Sequence, residues 1–226
     1  MGVIDWLFGG QKPQHRFIIA GKEGITPNQL GALYVATVIP SADMMMDLLF
    51  NSNKPGLQLP VTRPVLSDPM PARLYFLGMM VACGFIHATK VLGANGVVLQ
   101  DIMKGTTAEL KKLRKPDGLL VNPADVEQVN SLISSFYDFI NQEPAKAADP
   151  AQPTSETEAP KATQLLLSLI VMRYNDGGAS GELATSKLKA QGYNDPSYAD
   201  ARKMIDDSPY AILRALSAMD ITCIGS

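Results

Sequence analysis

The chain has 226 residues, of which 46% are hydrophobic and 19% charged, and its formal net charge is −2. This composition supports a substantial buried core and excludes a chain that is disordered throughout. The small negative charge excludes a surface built as a whole to hold nucleic acid or anionic lipid. The only cysteines, Cys83 and Cys223, lie outside any C-x-x-C pattern, so a reducing compartment is expected and the predicted location is cytoplasmic.

The N-terminal segment "VIDWLF" is an apolar stretch outside the predicted core. Asp5 interrupts it and no basic region precedes it, which argues against a secretory signal. Two readings of Trp6, Leu7 and Phe8 stay open. They form a terminal helical turn tucked into the domain, or they form an anchor that docks in a partner's groove or on a membrane interface.

The first part of the chain contains sequence patterns that predict where helices begin. Thr26, Pro27 and Gln29 have the pattern of a capping box with proline at the first helical position. The helix that they open is expected to end at Pro40, with Ser41 capping the next one. Strand signals are few: "RFIIA" is a candidate, and "VVLQDIM" fits either a strand or a helix.

Two carboxylates stand four residues apart in "DMMMD", so Asp43 and Asp47 share one face of the predicted helix. Such a pair could bind a divalent cation or share a proton. We favour a solvated acidic edge beside a methionine-filled interior face.

The stretch from residue 74 to residue 88 has no formal charge and holds Cys83 and His87 one helical turn apart. Only 16 residues separate Arg73 from Lys90, and as a helix they reach about 24 Å, short of a hydrocarbon core of about 30 Å. Two ligands also fall short of a zinc site. A helix that is apolar on every side is typical of the centre of a bundle, so we predict a central buried helix with structural Cys83 and His87.

The next segment contains a second candidate capping box, Thr106 with Glu109. The helix predicted after it ends in a basic cluster made of Lys111, Lys112, Arg114 and Lys115. These cations could contact phosphate or a partner's acidic surface, although the helix dipole favours them at this position in any case. Asn122 and Pro123 then open the most amphipathic helix of the chain.

Residues 142–162 contain four prolines and no large apolar side chain, which predicts a disordered linker. The linker separates a helical domain, 1–141, from a smaller helical domain, 163–226. In the smaller domain Ser208 and Pro209 indicate a separate helix start. The segment before them has the rhythm of a helix–turn–helix, but its second helix carries few cations and three aspartates.

The predicted fold is therefore mainly α, with a central buried helix in the first domain. The chain has two histidines and two cysteines and no motif that pairs a nucleophile with a base. We therefore assign no catalytic, metal or cofactor residues. The favoured function is a non-enzymatic protein–protein interaction module, an adaptor, regulator or inhibitor that acts through helical surfaces.

Two alternatives to this function stay open: an enzyme or ligand-binding protein with a scattered site, and a weak DNA-binding module in the second domain. The expected partner is another protein, bound through Trp6, Leu7 and Phe8 or through the basic cluster. Nucleic acid and membrane insertion are disfavoured, and peripheral contact of the N-terminus with a membrane is left open. The sequence does not determine the oligomeric state.

Overall fold

The computed structural model describes residues 16–19, 21, 24–51, 57, 59, 61, 68–115, 118–141, 161–174 and 199–224. In this part of the chain the protein is mainly α, as predicted. The elements are β1 (Arg16–Ile19), α1 (Pro27–Met46), α2 (Met70–Lys90), α3 (Gly96–Leu110), α4 (Pro123–Asn141), α5 (Lys161–Tyr174), α6 (Ala199–Ser217) and β2 (Ile221–Ile224). A π-helical turn, Asp47–Asn51, continues α1.

Helix α2 is the predicted central helix. Sixteen of its 21 residues are buried, and α1, α4, α5 and α6 pack against it. By length and composition alone, Pro27–Phe50 and Met70–Lys90 could each cross a membrane, and the apolar windows of the two segments are 39% and 89% buried. The core helix of a soluble protein passes the same test, so this finding does not assign a membrane span.

The crossing of α1 with α3 is very close and depends on two glycines. A Cβ at Gly31 would overlap the carbonyl oxygen of Ile102, and one at Gly105 would overlap the carbonyl oxygen of Asn28. Thr106 is buried in the same crossing and its hydroxyl donates to the carbonyl oxygen of Gly31 at 3.3 Å. The two backbones therefore pack directly against each other.

The two strands join the beginning and the end of the described chain. β1 and β2 pair antiparallel, with Phe17 opposite Cys223. Phe17 is fully buried, and its backbone also exchanges hydrogen bonds of 2.8 and 2.6 Å with Ile25 just before α1.

Helix α5 is attached to the start of α2 by polar contacts. The hydroxyl of Tyr174 donates to the carbonyl oxygen of Asp68 at 2.6 Å and accepts from the amide of Ala72 at 3.2 Å. Arg173 forms an ion pair with the Asp68 carboxylate at 2.9 Å. Since residues 68 and 72 belong to the first predicted domain, α5 is held to that domain at this point.

Helices from both predicted domains contribute side chains to one hydrophobic core. Helix α5 begins at Lys161, inside the stretch predicted as linker, and residues 142–160 lie outside the described part of the chain. The division into two domains joined by a disordered linker stays a prediction.

Two predicted helix caps are confirmed. The hydroxyl of Thr26 accepts from the amide of Gln29 at 3.3 Å, and the Gln29 side chain accepts from the amide of Thr26 at 2.8 Å. At the start of α4, the Asn122 side chain accepts from the amide of Asp125 at 2.7 Å. In both places the local pattern satisfies amides that the helix itself leaves without acceptors.

The capping box predicted at Thr106 and Glu109 is wrong. Helix α3 begins at Gly96, after an N-cap at Asn95 whose side chain accepts from the amide of Val98 at 3.2 Å. "VVLQDIM" is therefore helical, and Thr106 lies inside the same helix. The threonine hydroxyl is used in the crossing with α1 and not for capping.

The helix boundaries predicted at Pro40 and at Pro209 are wrong as well. Pro40 lies inside α1 and Pro209 lies inside α6. Pro40 and Ala36 are on the exposed side of α1, where water can bond the carbonyl that proline leaves without its donor. In α6 the hydroxyl of Ser208 donates to the carbonyl oxygen of Ile205 at 2.8 Å, which is the carbonyl that Pro209 cannot satisfy.

We expect Gly31→Ala to lower the free energy of unfolding by about 1–3 kcal/mol, because the added methyl group must push α1 away from α3. Gly96→Ala is the matched control, since a Cβ at this helical position meets nothing within 4 Å. The control should leave stability unchanged or raise it by up to about 1 kcal/mol. Urea unfolding of the full chain measures both variants, and equal stabilities would contradict the close crossing.

Candidate functional site

The candidate site is a groove where α6 lies beside α1, over the middle of α2. It is a cavity of about 430 Å³. Its lining residues are Ser41, Met44, Met45, Met80, Asp200, Lys203, Met204, Asp207, Ser208, Ala211 and Ile212. We call it the methionine groove.

Four methionines from three helices form the apolar surface of the methionine groove. Met80 of α2 and Met45 of α1 are buried, Met204 of α6 is half-buried, and Met44 is 56% exposed at the mouth. Unbranched thioether side chains adjust to many shapes, so such a surface can enclose different apolar groups.

Three charged side chains of α6 form one edge of the methionine groove. Asp200, Lys203 and Asp207 are exposed and lie on one stripe of the helix, because their spacings are three and four residues. Two carboxylates against one ammonium give this edge a net charge of −1. The groove can therefore hold an apolar side chain while offering carboxylates to a cation on the same ligand.

The same three charges weigh against the DNA-binding alternative. Helix α6 contains the second helix of the proposed helix–turn–helix, and its exposed Lys203 stands between the two aspartates. Arg202 is half-buried. The first helix of that motif lies outside the described residues.

The structure brings the predicted basic cluster together in the turn after α3. The cluster is made of Lys111, Lys112, Arg114 and Lys115. Lys112 forms an ion pair with Glu109 at 2.6 Å and Lys115 forms one with Asp125 at 3.4 Å, while the Arg114 guanidinium donates to the carbonyl oxygen of Gly118 at 2.7 Å. The other predicted partner-binding residues, Trp6, Leu7 and Phe8, lie outside the described part of the chain.

Asp43 is used in packing. It receives two hydrogen bonds from the Arg73 guanidinium, at 2.7 and 3.1 Å. Arg73 also donates to the carbonyl oxygen of Arg114 at 2.9 Å. This guanidinium therefore ties α1 to α2 and to the turn after α3. The Asp43 side chain is still 45% exposed, so it is a solvated carboxylate that also pairs with Arg73.

Cys83 and His87 lie in the core, as predicted. The hydroxyl of Tyr34 lies 3.1 Å from Nδ1 of His87, and the two rings meet edge to face with centroids 6.1 Å apart. Burial raises the pKa of the Tyr34 hydroxyl and lowers the pKa of His87. A neutral Tyr34 hydroxyl can donate to Nδ1 of a neutral imidazole, which gives each group a hydrogen-bond partner.

Burial also keeps Cys83 in the thiol form. It raises the pKa of this thiol to about 12, and the sulfur donates to the carbonyl oxygen of Met79 at 3.5 Å. A thiol in this state is neither a good nucleophile nor a metal ligand. Within the described ranges, no group of three or more histidine, cysteine and carboxylate side chains is arranged to hold a metal ion.

The methionine groove was not predicted from the sequence. The run of three methionines at residues 44–46 was the available signal, but it was assigned to the interior. The groove depends on α1 and α6, from distant parts of the chain, packing on the same side of α2, and this arrangement leaves no local sequence pattern.

Comparison with known proteins does not identify a family: no protein-family model, curated protein or solved structure matches this chain. Function is therefore inferred from the described residues alone.

We expect His87 to make the protein less stable in mild acid. Because its pKa is lowered in the folded state, the unfolded chain binds more protons as the pH falls below about 6.5. Stability should therefore fall between about pH 7 and about pH 5.5. Urea unfolding across this range measures the effect.

The control is His87→Leu, which removes the titrating group. This variant should be less stable at neutral pH, because the Tyr34 hydroxyl loses its acceptor, but it should show a smaller loss of stability in acid. The same pH dependence in both proteins would contradict the assignment of a buried, neutral His87.

Proposed function

We propose that the protein is a non-enzymatic, cytoplasmic interaction module that binds a helical segment of a partner protein in the methionine groove. The observation that carries this proposal is the apolar groove with four methionines and a charged edge. Such a protein acts as an adaptor, regulator or inhibitor, because its effect comes from occupying or bringing together its partners.

The apolar lining and the volume of the methionine groove support a helical ligand. Amphipathic helices bind in apolar grooves by inserting side chains from one face at spacings of three and four residues. A cavity of about 430 Å³ has room for a small number of such anchors. Met44, exposed at the mouth, can close over an anchor after it enters.

The charged edge supports a partner helix that carries basic residues. Asp200 and Asp207 stand one on each side of Lys203, two turns apart along α6. A lysine or arginine beside the apolar anchors would meet one of these carboxylates. Pairs of this kind at an exposed rim mainly orient the partner and speed its association, while the apolar anchors supply most of the affinity.

The groove lacks the groups that acid–base or nucleophilic catalysis uses most. Among its described lining residues there is no histidine or cysteine. Its size also falls in the range of small-molecule sites, which is about 300–1,000 Å³. A small apolar ligand therefore competes with a partner helix as the occupant of the groove, and affinity capture can distinguish the two.

We expect Ala211→Arg to block the groove, because Ala211 lines it and is exposed, so the long side chain fills the cavity without disturbing the core. Ala215→Arg is the matched control. It makes the same change one turn later on α6, at an exposed position outside the groove. Thermal unfolding should show that both variants remain folded.

The measurement is affinity capture from a lysate of the native host, with the full chain and both variants as baits. A protein recovered by the wild type and by Ala215→Arg should decrease about tenfold or more with Ala211→Arg, equivalent to roughly 1.4 kcal/mol of binding free energy. Equal recovery by all three baits would refute the proposal. Recovery of a small molecule that Ala211→Arg displaces, without any protein, would favour the ligand-binding alternative.

A further inference from the structure

A second surface, separate from the methionine groove, lies in the turn that follows α3. We define the leucine turn as residues 111–115 with residues 118–120. Its backbone is closed by hydrogen bonds from the Lys115 amide to the Leu119 carbonyl at 2.7 Å and from the Gly118 amide to the Lys115 carbonyl at 2.9 Å. Gly118 has a φ of +82°, which glycine adopts at little cost. The Arg114 guanidinium adds a hydrogen bond of 2.7 Å to the carbonyl oxygen of Gly118.

The leucine turn presents two neighbouring apolar side chains to solvent. Leu119 is 66% exposed and Leu120 is 54% exposed. One exposed leucine is ordinary on a protein surface, but here two consecutive ones place apolar area on both faces of the turn, because Leu120 is bridged to Arg114 and successive side chains of extended backbone alternate. The hydrogen bonds of the turn hold both leucines in place, so little further ordering is needed when they bind.

The leucine turn lies in a segment with a positive net charge, although the net charge of the whole chain is negative. Residues 109–120 contain four lysines and arginines against Glu109 and Asp117, a net charge of +2, whereas the whole chain has −2. Lys112 and its partner Glu109 form a surface pair, and the Lys112 side chain remains 70% exposed. Such pairs are weak, so these cations can turn toward an external anion at small cost.

We infer that the leucine turn is a peripheral contact site for an anionic membrane surface. Leu119 and Leu120 enter the boundary between headgroups and acyl chains, while Lys111, Lys112 and Arg114 meet the anionic headgroups. Exposed apolar residues and nearby cations together are the combination that binds proteins reversibly to such surfaces. A fluid bilayer can surround leucines on both faces of the turn, whereas an acidic protein would need a matching pocket for each of them.

The test is co-sedimentation of the full chain with two kinds of vesicle, phosphatidylcholine alone and equimolar phosphatidylcholine with phosphatidylserine. We expect binding to the second kind only, and weaker binding as salt is added, because ions screen the lysines. The double variant Leu119→Ser with Leu120→Ser should reduce the vesicle partition coefficient about tenfold or more. Lys111→Glu with Lys112→Glu should reduce it similarly.

The matched control is Val91→Ser with Val97→Ser, because these valines are 60% and 66% exposed outside the turn. The control should bind vesicles like the wild type, and thermal unfolding should show that every variant is folded. Equal binding to both kinds of vesicle, or equal loss in the valine control, would overturn the inference. An absence of binding to either kind of vesicle would also overturn it. If the wild type then captured a protein that the leucine double variant did not capture, an acidic protein partner would be favoured instead.

Discussion

A helix that is apolar on every side must be shielded from water by its neighbours. The burial of α2 therefore governs how the other helices are arranged. In the described part of the chain α1 and α4 pack on α2 together with α5 and α6, and the last two come from beyond residues 142–160. Glycines in α2 let the neighbours approach: a side chain at Gly78 would collide with Leu132, and one at Gly84 would collide with Tyr34. Because the core draws on distant segments, its stability depends on the whole chain.

Both proposed surfaces result from the way the other helices pack around α2. The methionine groove exists because α6 reaches α2 beside α1 and leaves flexible side chains at the join. The leucine turn lies where α3 ends and the chain turns toward α4, and Arg73 anchors the start of this turn by donating to the Arg114 carbonyl oxygen. One surface is apolar with an acidic edge and the other is apolar with cations. We therefore propose that they serve different partners.

Sequence reasoning predicted the features that depend on local physics. The uncharged stretch from residue 74 to residue 88 indicated the core helix, and Thr26 and Gln29 indicated the first cap. It failed at Pro40 and Pro209, because exposure to water and the hydroxyl of Ser208 compensate for the missing amides. It also found the basic cluster but not the methionine groove, since α1 and α6 are brought side by side through their packing on α2 and not through any local sequence pattern.

The enclosure of α2 is tested most directly by the reactivity of the two thiols in the native protein. Cys83 is buried in α2, whereas Cys223 is exposed in β2. With a water-soluble maleimide, we expect Cys223 to be labelled at once and Cys83 only as fast as the protein unfolds, with both labelled promptly in denaturant. Prompt labelling of Cys83 under native conditions would show that α2 is open to water, and would contradict a core closed around this helix.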